Sequence, residues 1–299
     1  MKDINNIKEV YFIGIGGIGM SALARYFKAQ GKKVSGYDKT ETALTKQLAT
    51  EGITVYYEDD EKHIAKEADL VVYTPAVPKE HKGLLYYRKN NYTLLKRSDV
   101  LGEITKSSFN ICIAGTHGKT TITTMTAHLL RHSGYGCNVF LGGIAANYNS
   151  NFWSSEKNVC VAEADEYDRS FLKLHPDIAV ISAMDADHLD IYGTEDAMQQ
   201  AFIDFAGQIK KGGTLFSKWG LKKTTELKAD HHFTYSLQNS NADAYAANIT
   251  NREGSYVFDV HTTGGWLKDV ALNMGGLHNI ENVVAAIAIA KQLHIEDEK

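Results

Sequence analysis

Val10-Tyr-Phe-Ile-Gly-Ile-Gly-Gly-Ile-Gly-Met-Ser21 sets the architecture: four apolar residues, a glycine cluster, then a helical pattern over 21–30. An unbroken apolar run suits a strand buried on both faces. Glycines let the following turn tighten and bring the backbone close to a pyrophosphate, whose charge then faces the helix N-terminus. Asp38 closes the next β-rich run, 33–37, where an acidic side chain takes a ribose hydroxyl in dinucleotide folds. The motif predicts a nucleotide-type ligand without specifying it, and an NAD-dependent dehydrogenase satisfies it equally.

The pattern repeats outward from this loop. A helical stretch over 40–51 ends at Gly52, and further β-rich runs occupy 53–57, 70–73 and 92–95. A second series begins with a strand over 109–114 and a helix over 119–132, followed by almost wholly apolar runs at 158–162 and 178–183. Strands alternating with helices predict βαβ units on parallel sheets. From 231 to 274 short alternating segments with Gly and Asn turns predict antiparallel strands, and 277–293 closes as an Ala/Ile-rich helix. The fold class expected is therefore α/β: an N-terminal Rossmann-like parallel-sheet domain over 1–106, then a phosphate-loop α/β domain over 107–299 with a small antiparallel subsheet.

Gly115-Thr-His-Gly-Lys-Thr-Thr121 is the second glycine loop, again after a strand and before a helix. Its backbone N–H groups can cradle phosphates, Lys119 can reach the β/γ oxygens, and the Thr120 hydroxyl can bind Mg²⁺. The strict phosphate-loop pattern places a further Gly where this chain has Ile113.

Composition bounds the partners. At 299 residues the chain has length for two domains. A net charge of −4 argues against a basic nucleic-acid binder. No apolar run approaches the ~20 residues of a membrane span, and the first ten residues carry no secretory core. Three cysteines, Cys112, Cys137 and Cys160, form no CxxC pair and read as reduced, so a cytoplasmic protein is expected.

Ligands of open parallel sheets sit beyond the carboxyl ends of the strands. The run ending at Ala162 delivers Glu163, with Asp165, Glu166 and Asp168 behind it; the run ending at Ala183 delivers Asp185, Asp187, His188 and Asp190. A carboxylate and an imidazole beside a triphosphate are candidate Mg²⁺ ligands. Before the last helix, His278 and Asn282 are spaced i, i+4, and Asn279 and Asn282 i, i+3, so all three can share one face. Asn amides carry both donor and acceptor and can read an adenine edge, although an N-cap followed by polar surface accounts for the same residues.

Together Gly14-Ile-Gly-Gly-Ile-Gly-Met-Ser21, Gly115-Thr-His-Gly-Lys-Thr-Thr121, Glu163-Ala-Asp-Glu166, Asp187-His-Leu-Asp190 and Gly276-Leu-His-Asn-Ile-Glu-Asn282 resemble the Mur ligase family, in order and over nearly the whole chain. His117 and the first loop are similar to its alanine-adding branch, and no Lys stands between Lys173 and Lys210, where other branches carry a carbamylated lysine. A branch that rejoins a tripeptide to the same sugar nucleotide is the nearest alternative.

The resemblance implies peptidoglycan precursor synthesis. ATP phosphorylates the lactyl carboxylate of UDP-N-acetylmuramate, and L-alanine attacks the acyl phosphate. Lys119, Glu163 and His188 are then the catalytic set, with Thr120, Glu163 and His188 holding Mg²⁺. Gly115, Thr116, His117, Gly118, Lys119, Thr120 and Thr121 hold the ATP phosphates, and His278, Asn279 and Asn282 bound the adenine. Gly16, Gly17, Ile18, Gly19, Met20, Ser21, Asp38 and Thr74 fall to the UDP substrate. Tyr167 and Arg169 stand where the family more often has small or polar residues. The family's third domain, which binds the amino acid, is expected to start where these residues stop, so weak activity is expected of them alone.

Overall fold

The computed structural model describes residues 4–299, which fall into two compact units. The first comprises the chain up to Ser107 together with Phe140–Ser154, and the second comprises Ser108–Val139 and Ser155–Lys299.

In the first unit β1 (Glu9–Ile13) is buried along its whole length and runs into α1 (Ile18–Ala29). β2 (Lys33–Tyr37), α2 (Ala43–Thr50), β3 (Thr54–Tyr56), β4 (Leu70–Tyr73), α3 (Lys82–Lys89), β5 (Leu94–Lys96) and α4 (Arg97–Ser107) follow. All neighbours in the sheet pair parallel, in the order β3-β2-β1-β4-β5. The order reverses direction at β1, which creates the crevice where doubly wound sheets bind ligands. α2 starts at a capping box in which Thr42 and Thr45 satisfy each other's backbone N–H groups.

The second unit opens with β6 (Phe109–Ala114) and α5 (Lys119–His132). β7 (Asn138–Ala145) starts there and passes into the first unit, where β8 (Ser150–Trp153) also lies. β9 (Val159–Ala164), β10 (Ile178–Ile181), α6 (Leu189–Tyr192), α7 (Glu195–Ala206), β11 (Thr214–Lys218), β12 (His231–Ser236), β13 (Ala244–Arg252), β14 (Ser255–Thr262), β15 (Gly265–Leu272) and α8 (Leu277–Gln292) complete the chain. Within this unit the order is β15-β14-β13-β12-β11-β10-β6-β9, parallel from β9 to β13 and antiparallel from β13 to β15.

Two expectations change. The stretch 231–274 is antiparallel only from β13 onward: β12 pairs parallel with β11, Thr214 opposite His231, after a crossover over 219–230. The division into 1–106 and 107–299 is broken by 140–154, which counts with the first unit. The physical reason is a buried patch on α1. The Tyr26 ring lies 5.4 Å from Phe140 and 6.2 Å from Phe152, and fully buried Asn151 donates to Ile18 O (2.6 Å) and Ser21 Oγ (2.9 Å) and accepts from Arg25. Among the described residues no helix is long and apolar enough to cross a membrane. Cys112, Cys137 and Cys160 are all buried free thiols.

Candidate active site

The 115–121 loop of the second unit turns at two glycines. Gly115 has φ +136° and Gly118 φ +82°, both in the region that side chains rarely tolerate. Gly118 caps α5 without a side-chain partner, so the first N–H groups of that helix face the loop. Ser182, just past β10, fastens the loop from below: its Oγ donates to Ala114 O (3.1 Å) and contacts His117 O. Thr116 N–H donates to Ala183 O at 3.3 Å, and Asp185 N–H donates to Thr116 Oγ1 at 3.3 Å.

β9 lies on one side of β6 and β10 on the other, so their ends bring the predicted acids and imidazole to the same loop. Thr120 Oγ1 donates to Glu163 Oε2 at 3.0 Å. Lys119 Nζ donates to Gly115 O and to Glu166 Oε1, each at 2.7 Å. His188 Nε2 lies 3.9 Å from that same Glu166 oxygen and 3.8 Å from Asp187 Oδ2. His188 itself has φ +48°, and the Tyr167 ring meets its imidazole edge-on at 5.3 Å.

Glu166 is the residue that the sequence assignment passed over. It was legible as the last member of the Glu163-Ala-Asp-Glu166 motif, but nothing in that motif distinguishes which carboxylate turns inward. Its side chain is 1% exposed, and Oε2 makes no hydrogen bond. Tyr192 Oη donates to the Glu166 carbonyl at 2.6 Å, and burial pushes that phenol up to about 12, so it remains a donor. Arg169 N–H donates to the same carbonyl at 3.0 Å while its guanidinium stacks on the Tyr192 ring, 5.1 Å from the centroid. Asp168 and Arg169 both hold φ near +53° to make this turn.

Ligand atoms of Glu166, Asp187 and His188 lie within 4.8 Å of one another. Carboxylate and hydroxyl oxygens are the donors that Mg²⁺ takes, and a buried carboxylate oxygen without a partner suits a cation. The residues therefore fit such an ion.

Asn282 reaches the loop from α8, with Asn279 beside it on the same helix. A Cβ on Gly118 would sit 3.0 Å from Asn282 Oδ1, and Asn282 Nδ2 donates to Asn279 Oδ1 at 3.2 Å. Asn279 is buried and donates to Gly275 O at 2.7 Å, just before the helix, whereas His278 is exposed. His117 and Asp185, both exposed, face each other at 3.9 Å.

The first unit has its own site, a cavity of about 540 Å³ at the carboxyl ends of β1, β2 and β4. Gly14, Gly17, Asp38 and Thr74 line it, with Tyr37, Asp59 and His81, which the sequence had not singled out. Asp38 Oδ2 accepts from Gly16 N–H at 2.7 Å, occupying a loop amide. The guanidinium of Arg97 passes over the helix start, where a Cβ on Gly19 would lie 2.7 Å from Arg97 Cδ. Met20 and Ser21 turn inward on α1 and are buried, so they support the loop without lining the cavity. The His81 ring meets Tyr37 at a tilt, 4.5 Å between centroids, and burial lowers its pKa.

Comparison with known proteins finds relatives over both units. Residues 9–109 match the Mur ligase family, catalytic domain, and residues 113–290 match the Mur ligase middle domain. The chain is 49% identical over 293 residues to UDP-N-acetylmuramate–L-alanine ligase of Flavobacterium johnsoniae, covering 97% of this chain and 64% of that protein. The enzyme of the same name from Christiangramia forsetii is 47% identical over 296 residues, again with 97% and 64% covered. The chain thus spans about two-thirds of the length of these relatives, 64%. UDP-N-acetylmuramate-alanine ligase from Thermotoga maritima superposes with a TM-score of 0.82 at 28% identity, covering 97% of this chain and 66% of that one. UDP-N-acetylmuramate:L-alanyl-gamma-D-glutamyl-meso-diaminopimelate ligase from Neisseria meningitides superposes at 0.84 with 25% identity, covering 97% and 95%. Two glycine loops, each at the carboxyl end of a parallel strand, with matching domains over both, leave one conclusion: the chain belongs to the Mur ligase family.

Proposed function

We propose that these residues form the nucleotide-binding portion of a cytoplasmic, ATP- and Mg²⁺-dependent ligase that joins L-alanine to UDP-N-acetylmuramate. The carrying observation is the convergence on one loop of Lys119, the Thr120–Glu163 pair and the Glu166–His188 pair. The names of the relatives at 47–49% identity support the alanine-adding member over the tripeptide-rejoining one. The second loop, which a dehydrogenase leaves unused, argues against the NAD reading.

In this reading a lactyl carboxylate oxygen attacks the γ-phosphorus and ADP departs. The amine of L-alanine then attacks the acyl carbon, phosphate leaves, and the nitrogen gives up a proton. The loop amides of Gly115–Thr121 and the Lys119 ammonium offset charge on the transferring group. Thr120 and Glu163 hold one Mg²⁺, which supplies further charge neutralisation when bound, and His188 helps hold a second. Asn282 and Asn279 bound the adenine with His278 beside them. Gly16, Gly17, Ile18 and Gly19 direct the N-terminus of α1 at the UDP pyrophosphate, with Asp38 and Thr74 on the rest of the nucleotide.

Isothermal titration calorimetry tests this reading. UDP-N-acetylmuramate and ATP are expected to bind at separate sites, and Lys119→Ala is expected to abolish ATP binding while sparing the sugar nucleotide. Unchanged ATP affinity in that variant would overturn the phosphate-loop assignment.

A further inference from the structure

The ammonium that should meet a nucleotide's phosphates is already committed. Lys119 Nζ spends one N–H on Gly115 O and another on Glu166 Oε1, each at 2.7 Å. Glu166 cannot follow it toward solvent. Its side chain is 1% exposed, and its carbonyl is held by Tyr192 Oη at 2.6 Å and by Arg169 N–H at 3.0 Å. Its second oxygen, Oε2, is buried without a hydrogen bond.

A triphosphate entering the loop therefore meets a buried negative charge beside the lysine it needs. If Lys119 swings fully to the phosphate, it strands a carboxylate in a dry site, which is costly. If Lys119 is shared, one positive charge faces two negative partners. The His188 imidazole lies 3.9 Å from Oε1 and is itself 3.8 Å from Asp187. Either route leaves excess negative charge that a divalent cation offsets.

Building on the nucleotide reading above, we infer that Glu166 is a positioning residue that couples nucleotide binding to a divalent cation. It parks Lys119 at the loop before the nucleotide arrives, and it disfavours any nucleotide that arrives without a metal. The charge of Glu166, acting through Lys119, sets the size of the metal preference.

The test is ATP affinity measured calorimetrically in Mg²⁺ and in EDTA, for the wild-type chain and for Glu166→Gln. Glu166→Gln keeps the shape and removes the charge, so binding in EDTA should tighten about tenfold or more, the scale of relieved like-charge contact. The Mg²⁺-to-EDTA affinity ratio shrinks accordingly. Glu166→Asp, which keeps the charge, should retain the ratio. A structural role alone would lower thermal stability and leave the ratio unmoved, and an unmoved ratio in Glu166→Gln overturns the inference. If Lys119→Ala still binds ATP, the nucleotide reading itself has failed; if Lys119→Ala loses ATP but Glu166→Gln keeps the wild-type ratio, this inference alone has failed.

A nucleotide-free measurement covers the case in which Glu166→Gln folds poorly. Lys119→Met strands the carboxylate and should lower Tm, with Mg²⁺ restoring it. A Lys119→Met Tm that Mg²⁺ leaves unmoved overturns the coupling.

Discussion

The Thr120 hydroxyl donates to Glu163 Oε2 at 3.0 Å, so oxygens from two different elements already stand side by side at the mouth of the 115–121 loop. One comes from the first turn of α5 and the other from the last residues of β9, 43 positions away in the chain. Thr120→Val keeps the shape and deletes the oxygen. We expect Mg²⁺-dependent ATP affinity to fall about 10- to 100-fold, the worth of one hydrogen-bonding group to a charged partner. Titration of ATP at several Mg²⁺ concentrations measures it, and a variant matching wild type at every concentration contradicts the pairing.

Gly115 tolerates no side chain. With φ at +136°, a Cβ there would lie 2.8 Å from Ala183 N and collide with Ser182 Oγ. Gly115→Ala should cost about 1–3 kcal/mol from backbone strain alone, and more from the overlap. Chemical denaturation should report the loss, and ATP binding should vanish with the loop's shape. A stable variant with intact ATP affinity would show that the loop adapts freely.

His81 gives the first unit a pH dependence. Its Nδ1 accepts from Leu84 N–H at 3.1 Å, which requires that nitrogen to be unprotonated and caps α3. Burial depresses its pKa, against the opposing pull of Asp59 Oδ1 at 3.3 Å. Because the folded pKa lies below the unfolded value of 6.5, the unfolded chain takes up the proton first as pH falls. Stability from this group is therefore complete above that value, declines as pH drops through it, and levels off below the depressed folded pKa. His81→Asn retains a capping acceptor and does not titrate. Its denaturation midpoint should vary less than wild type between about pH 7 and 5; equal slopes would remove His81 as the cause.

Asn151→Ala should destabilise the first unit by about 2–4 kcal/mol, since it removes the three hydrogen bonds that one fully buried amide makes to groups on α1. The groups are Ile18 O, Ser21 Oγ and the guanidinium of Arg25, whose other nitrogens pair with Glu51 at 2.7 and 2.9 Å. Thermal unfolding monitored by Tyr fluorescence reports it, and a shift below one degree would mean that water replaces the amide at no cost.

The strands and helices around both loops were legible because their signals are local. β6 and α5 match the expected 109–114 and 119–132, and β2 matches 33–37, since apolar runs and glycine stops mark their own ends. Glu163 and His188 could be placed near the loop because parallel strands deliver their carboxyl ends to one edge. Glu166 could not be separated from its neighbours, because its inward turn depends on Asp168 and Arg169 adopting left-handed backbone that no residue type there advertises. The motif points Met20 and Ser21 at the ligand, whereas helix phase buries their side chains in the interior. The parallel pairing of β12 was hidden because alternation reports a strand and says nothing of its direction. The return of 140–154 to the first unit was invisible for a similar reason. Its warrant is a handful of long-range contacts to Tyr26 and Arg25.

That return gives the chain an unusual thread. The polypeptide changes unit after Ser107, after Val139 and after Ser154, so gene order and folding unit do not coincide. A protease cut or a stop codon at Ser107 would release a fragment without Phe140, Asn151 and Phe152, the side chains that cover α1. Arg25 would keep Glu51 but face water where an amide stood, and Tyr26 would lose its aromatic cover. On a ribosome the same arithmetic means that the first ~107 residues emerge incomplete and finish only after the phosphate loop has been synthesised.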